Sequence, residues 1–224
     1  MKSDMKRVLV TAGCSNLGKA IRKVFADEGY EVLYTVTSPD KADGTGAICV
    51  DLTDEKAVVR ALSQIDRLDV LVNNAGIFTE GRQDSLPAQS FDKVMDLNVR
   101  GLFLVTRALL PALEASGGSV VNISSMNALH PGFGTAHYDA SKAAVSAYTA
   151  SLAEETGLRV NAVAPGLISV EALRGSELEK RWKGHTVRKQ MMETVELARA
   201  VLFLAESTGI YGQTLLVDNG YCLK

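Results

Sequence analysis

Arg7-Val8-Leu9-Val10-Thr11-Ala12-Gly13-Cys14-Ser15-Asn16-Leu17-Gly18-Lys19-Ala20 joins a short aliphatic run to a helical pattern through a turn that carries two glycines. A strand that feeds a helix this way leaves unpaired backbone N–H groups at the positive helix end, where a phosphate can be held. The alternation continues along the chain. Aliphatic runs at 7–11, 31–36, 47–50, 70–72, 119–124, 159–164 and 214–217 are separated by helical periodicity at 17–28, 55–64, 90–114, 138–155 and 195–205. Several runs are apolar nearly throughout, as strands covered on both faces must be. The pattern predicts one doubly wound α/β domain over residues 1–224, a parallel sheet with helices on both faces.

Two stretches break the rhythm. Residues 37–46 hold Pro39, Gly44 and Gly46 and are too short for a helix, so the second crossover is shortened. Residues 169–190 are dense in charge, carry the only tryptophan, Trp182, and read as a substrate-binding loop. Composition is that of an ordinary globular chain: 224 residues, 46% apolar, 22% charged, net charge −2. Such a balance offers no basic stripe for a nucleic acid. Cys14, Cys49 and Cys222 fit neither a disulfide framework nor a metal spacing, and each reads as a small buried apolar residue in a reducing compartment. After Met1-Lys2-Ser3-Asp4-Met5-Lys6-Arg7 the apolar run is too short for a secretory or membrane segment. The expectation is a cytoplasmic protein with no membrane partner and no metal.

The glycine turn supports two chemistries. Gly13-x-x-x-x-Gly18-Lys19 matches seven positions of a nucleotide-triphosphatase loop, but Ala20 stands where a hydroxyl must hold magnesium. Dinucleotide binding is the other reading, although the strict G-x-G-x-x-G spacing is also missing. A plain helix start with a turn glycine stays open at this point.

Tyr138-Asp139-Ala140-Ser141-Lys142 is more informative. Tyr and Lys four apart share one helix face. A phenol with a pKa near 10 is a poor proton carrier at neutral pH, and a nearby ammonium favours its ionised form. Upstream, Ser125 follows an aliphatic run and therefore sits at a strand's carboxyl end, where open α/β sheets bind ligands. Asn74-Ala75-Gly76 and Pro165-Gly166 end two other runs in the same way.

With Asn73-Asn74-Ala75-Gly76, Asn98 in Leu97-Asn98-Val99, Ser124-Ser125, Tyr138-x-x-x-Lys142, Asn161-Ala162-Val163-Ala164-Pro165-Gly166 and Gly212-Gln213-Thr214 in this order, the chain resembles the short-chain dehydrogenase/reductase family over essentially its whole length. The resemblance implies an NAD(P)-binding Rossmann domain that transfers a hydride between nicotinamide and a small ketone or secondary alcohol. It implies Tyr138 as acid/base, Lys142 as the group that tunes the phenol and binds the nicotinamide ribose, Ser125 on the substrate oxygen, and Asn98 on a proton-relaying water.

Cofactor contacts carry over to Gly13, Ser15, Asn16, Leu17 and Gly18 in the loop, Asp51 and Leu52 at the adenine, Asn74, Ala75 and Gly76 at the adenosine ribose, and Pro165, Gly166 and Ile168 at the nicotinamide. Ala12 and Asn16 replace two of the family's three loop glycines, and Val170 replaces a threonine. Thr37 ends the second run with no acid beside it, as in the family's NADPH-using ketoacyl reductases, although Ser15 stands where those carry an arginine. NADP is expected over NAD.

Phe133, His137, Leu173 and Trp182 are candidate walls for the substrate, and His137 reads as a partly exposed loop residue without a catalytic role. The family uses the counterparts of the long helical patterns at 90–114 and 138–155 as dimer faces, so the resemblance implies a homo-oligomer, dimer or tetramer, with 220–224 near a subunit contact. A second class of function stays open: a dinucleotide-binding regulatory or interaction protein on the same fold, supported by the altered loop and Val170.

Overall fold

The computed structural model describes residues 5–223. The readings made for residues 1–4 and for Lys224 lie outside them. Seven strands form one sheet: β1 (Arg7–Val10), β2 (Glu31–Val36), β3 (Ala47–Cys49), β4 (Val70–Asn73), β5 (Ser119–Ile123), β6 (Arg159–Pro165) and β7 (Thr214–Val217). Their order is β3-β2-β1-β4-β5-β6-β7 and every pair is parallel. The order reverses between β1 and β4, which opens a crevice at the carboxyl ends.

Alternate strand residues face opposite layers. Val8, Val10, Val70, Val72, Val121 and Val163 pack with Ile21 and Phe25 of α1 (Asn16–Asp27) and with Leu197 and Val201 of α7 (Thr194–Glu206). Leu9, Leu71, Val120 and Val160 pack with Leu62 of α2 (Glu55–Leu62) and Leu109 of α4 (Leu102–Ser116). Leu152 of α5 (Ala136–Thr156) joins this second layer. A polar ladder crosses the sheet inside it: Asn73 Nδ2 donates to Asn122 Oδ1 at 2.9 Å and to Thr106 Oγ1 at 3.0 Å, and Asn122 Nδ2 donates to Thr149 Oγ1 at 2.9 Å. Buried amides are tolerated when they bond one another, and this ladder pins β4 and β5 side by side.

The shortened second crossover is a single 3-10 turn, Pro39–Lys41. Its loop is tied down by Asp43, which pairs with Arg22 at 2.6 Å and Lys19 at 3.3 Å, while the Arg22 guanidinium lies 3.5 Å from the Tyr34 ring centroid. The helical pattern at 90–114 is interrupted. It divides into α3 (Ala88–Met95), a π-helical turn (Asp96–Gly101) and α4.

Residues 169–190 are not a plain loop either: a 3-10 turn (Glu171–Leu173) leads to α6 (Glu177–His185). Its sequence carries no apolar stripe, so periodicity could not reveal it. Ser176 caps it through the Glu179 N–H, and Lys180–Glu177 and Lys183–Glu179 pairs at 2.7 Å line its surface. The three cysteines are not buried apolar fillers. Cys49 is exposed, and Cys14 and Cys222 are half-buried and hydrogen-bonded to Asp43 and Asp218.

Candidate active site

The glycine turn folds tightly enough to demand its small residues. Ala12 takes a positive φ of 49°, where the family pattern has glycine. A Cβ on Gly13 would lie 2.4 Å from the Tyr34 Cβ, and one on Gly18 would lie 2.5 Å from the Ala12 carbonyl oxygen. Ser15 caps α1 by accepting the Gly18 N–H at 3.0 Å. The first-turn amides of Asn16 and Leu17 have no acceptor within the helix and are oriented for an anion. Gly18→Ala is expected to cost about 1–3 kcal/mol by overpacking. That is about 2–12 °C in Tm, at 2–4 °C per kcal/mol for a chain of this size. Thermal unfolding of the ligand-free protein checks it, and an unchanged Tm would show that the turn yields without strain.

Asn74 locks this turn to β4. Its Nδ2 donates to the Thr11 carbonyl at 2.9 Å, the Ala12 carbonyl at 3.2 Å and Ser15 Oγ at 3.1 Å. The Asn74 and Ala75 N–H groups both donate to Thr11 Oγ1. The Asn74 side chain therefore serves the loop, and the backbone of Asn74-Ala75-Gly76 is what lines the crevice. After β2, Thr37 Oγ1 accepts from Lys41 Nζ at 2.9 Å. After β3, Asp51 accepts from the Thr53 N–H and hydroxyl, which hold its carboxyl below the usual range, and Leu52 is buried. Gly166 follows Pro165 at the end of β6, where a Cβ would lie 2.9 Å from the Asp218 Cα. Ile168 bridges to Met192.

Asn98 is buried in the π-helical turn. Its Oδ1 accepts the Ile77 N–H at 2.8 Å, and its Nδ2 donates to the Ile77 carbonyl at 3.0 Å and Ser141 Oγ at 3.1 Å. The amide is thus committed to the segment that leaves β4. Ser125 lies just past β5, its Oγ accepts the Asn127 N–H at 3.1 Å, and its hydroxyl draws the pKa of the Tyr138 phenol down. Tyr138 and Lys142 project from α5 on one face, with the ammonium 5.8 Å from the ring centroid. Lys142 is fully buried and donates to the Ile123 carbonyl at 2.8 Å.

Burial pushes the Lys142 pKa down to about 8. It pushes the Tyr138 phenol up, against the pull of the Ser125 hydroxyl. The sequence leads one to expect the lysine to depress the phenol, whereas in the folded chain desolvation dominates both groups. A Cβ on Gly76 would lie 3.2 Å from Asn98 Oδ1 and 3.4 Å from Lys142 Nζ, so glycine is what leaves room between them.

His137 is not a partly exposed loop residue. It is buried in the first turn of α5, with Nε2 2.7 Å from Thr79 Oγ1. Phe133 is 87% exposed, and Trp182 stacks on Tyr221 at 4.0 Å between ring centroids, tying α6 to the C-terminal turn. Phe78 escaped sequence reasoning. Its ring meets Tyr138 edge to face at 4.9 Å, yet nothing in its local pattern distinguishes it from any aromatic residue after a strand. Lys41 escaped for the same reason, since its approach to Thr37 depends on the 3-10 turn.

Among known proteins, residues 12–222 match the family model described as Enoyl-(Acyl carrier protein) reductase. The chain is 34% identical to the cyclopentanol dehydrogenase of Comamonas testosteroni, over 96% of each chain. It is 31% identical to the acetoacetyl-CoA reductase of an Acinetobacter species, over 97% of this chain and 98% of that one. The solved structure of ElxO with NADP bound superimposes with a TM-score of 0.89 at 29% identity, covering 98% of this chain and all of that one.

Proposed function

The chain belongs to the short-chain dehydrogenase/reductase family, and from that premise we propose that Tyr138 is the acid/base of its hydride transfer. The activity is that of an NAD(P)-dependent oxidoreductase acting on alcohol and carbonyl groups. The observation that carries the role of Tyr138 is the Lys142 ammonium 5.8 Å from its ring centroid on the same helix face, with the Ser125 hydroxyl acting on its phenol at the carboxyl edge of the sheet.

The residues present fit a nicotinamide dinucleotide. Lys142 is a buried ammonium with three protons and one protein acceptor, and the α1 amides are free to meet an anion. The amides of Asn16 and Leu17 would hold the pyrophosphate beside Gly13, Ser15 and Gly18. Asp51 and Leu52 would meet the adenine, Asn74, Ala75 and Gly76 the adenosine ribose, Lys142 the other ribose, and Pro165, Gly166 and Ile168 the nicotinamide. When bound, the cofactor supplies or accepts the hydride.

Tyr138 gives its phenolic proton to the carbonyl oxygen in reduction and takes the alcohol proton in oxidation. Ser125 donates to the same oxygen as charge develops on it. Lys142 offsets the charge left on the phenolate. Asn98 keeps the Ile77 segment in place and so frames the site, with a relayed water as its further role. The substrate is a small ketone or secondary alcohol admitted between the turn after Ser125 and residues 169–190.

NADP is favoured over NAD because Thr37 holds the Lys41 ammonium at 2.9 Å with no acid at the end of β2, the position that reads the ribose 2′ group. Lys41→Ala is expected to weaken NADPH binding about tenfold, ~1.4 kcal/mol, the worth of one charged hydrogen bond, and to leave NADH binding unchanged. Fluorescence titration with both cofactors checks this, and equal losses for both would remove Lys41 from the 2′ site. Turnover is tested with cyclopentanone and acetoacetyl-CoA as probes. Tight cofactor binding without reduction of a broad carbonyl panel would favour a dinucleotide-binding regulator instead.

Phe91 of α3 and Phe103 of α4 lie exposed on the surface and support a homo-oligomer through that face. No helix among the described residues is long and apolar enough to cross a membrane.

A further inference from the structure

Asp139, next to Tyr138, carries no proton in the acid/base scheme and only adds to the upward push on the phenol, yet it is 7% exposed and spends its whole carboxylate on one segment. Oδ1 accepts from Asn127 Nδ2 at 2.7 Å, and Oδ2 accepts from the Gly132 N–H and from Thr135 Oγ1, each at 2.9 Å. These three donors span the turn between Ser125 and Tyr138. Thr135 occupies the cap position of α5 but makes no side-chain cap bond. Its hydroxyl is diverted from helix stability, its ordinary use at that position, to the turn. Gly132 is required by the same packing, because a Cβ there would lie 2.7 Å from Thr135 Oγ1 and 3.2 Å from Asn127 Nδ2.

The opposite wall hangs from the same helix end. The Gly81 N–H donates to the Gly134 carbonyl at 2.9 Å, Thr79 bonds His137, and the Phe78 ring rests against Tyr138. An ionised carboxylate is costly to bury unless donors replace its water, and here all three come from the segment that borders the substrate.

We propose that Asp139 is the positioning residue for the carbonyl or alcohol substrate: its buried carboxylate fixes the turn 127–135 beside the Tyr138 phenol and so sets the shape of the substrate side of the crevice. The proposal rests on the hydride-transfer reading and adds to it the residue that holds the substrate wall. The proposed cofactor contacts lie along the glycine turn, the ends of β2 to β4, Lys142 and the end of β6, and none of these residues bonds Asp139.

The test compares Asp139→Ala and Asp139→Asn with the wild type in NADPH-dependent reduction of cyclopentanone and acetoacetyl-CoA, in NADPH affinity by fluorescence, and in amide hydrogen exchange across 127–135. In Asp139→Ala, loss of charged hydrogen bonds is expected to speed Gly132 exchange and raise KM, each by about tenfold or more. NADPH affinity should stay within about twofold and kcat should fall less than KM rises. Asp139→Asn keeps an oxygen for Gly132 and Thr135, and the Asn127 amide can turn over to meet its NH2 group, so KM should return to within about threefold of wild type.

Faster exchange with an unmoved KM overturns the proposal, as does unchanged exchange. A joint loss of NADPH affinity, KM and Tm overturns it too, because that marks a merely structural residue. A wild-type chain that binds NADPH but reduces neither these probes nor any member of a broad carbonyl panel defeats the hydride-transfer reading itself and this proposal with it. A wild-type rate alongside an insensitive Asp139→Ala defeats the clamp alone.

Discussion

Tyr138→Phe is expected to lower kcat by about a thousandfold or more, within the 10²–10⁴ that a positioned proton carrier contributes, while NADPH affinity stays within about twofold. The substitution removes one oxygen and keeps the ring that meets Phe78 at 4.9 Å, so packing around α5 is preserved. Ser125 loses its phenol partner but still accepts the Asn127 N–H, and the turn after β5 stays capped. On the proposed role, what disappears is the acid that protonates the carbonyl, while Ser125 stays on the same oxygen. Steady-state rates with cyclopentanone and fluorescence titration with NADPH measure the two halves separately. A variant that keeps a tenth of its rate would remove Tyr138 from the role.

Lys142→Met is expected to damage both halves at once, with kcat falling at least about a hundredfold and NADPH binding weakening. The proposed reading gives the lysine both to the acid/base pair and to the cofactor site, and methionine fills the volume without the charge. The same variant has a signature in stability. The Lys142 pKa falls from the ordinary 10.5 to about 8 on folding because burial disfavours the ammonium.

Between those pH values the unfolded chain holds a proton that the folded chain has shed, so this residue's contribution to stability rises with pH across the window. Below about pH 8 the ammonium is buried and charged, and its full cost is present. The advantage of methionine over lysine is therefore largest at pH 7 and shrinks by roughly 3 kcal/mol by pH 10.5, at about 1.4 kcal/mol per unit. Urea unfolding of both proteins at pH 7 and pH 10 checks the sign. A gap that is constant or widens with pH would mean that Lys142 is not desolvated.

Sequence resolved the layers because they are written in local periodicity. Strands β2 and β7 have the bounds that alternation predicts, and the other strands differ by one residue at an end. Features set by tertiary contact were not legible. The π-helical turn at Asp96–Gly101 sits inside an unbroken helical pattern, and it exists so that Asn98 can reach Ile77. Helix α6 has only Leu178 and Trp182 as apolar residues and shows itself chiefly through its Ser176 cap and charge pairs.

Among the site residues, Tyr138 and Lys142 were readable because both stand on one helix. Asp139 was overlooked between them, since its three donors come from a turn whose path no periodicity encodes. His137 was misjudged for a related reason. α5 begins at Ala136, two residues earlier than its apolar pattern suggests, which turns an apparent loop residue into a buried helical one.

The brief span from β2 to β3 has a wider consequence. Where a helix would cover that flank, the chain places a single 3-10 turn with Lys41 and Thr37 at the surface. Neither hydrophobic layer draws a residue from Thr37 to Thr45. On the proposed 2′ role of Lys41 and Thr37, exchanging those two surface side chains while keeping the Asp43 anchor leaves both layers untouched, which makes this flank the natural graft point for an engineer who wants the opposite preference.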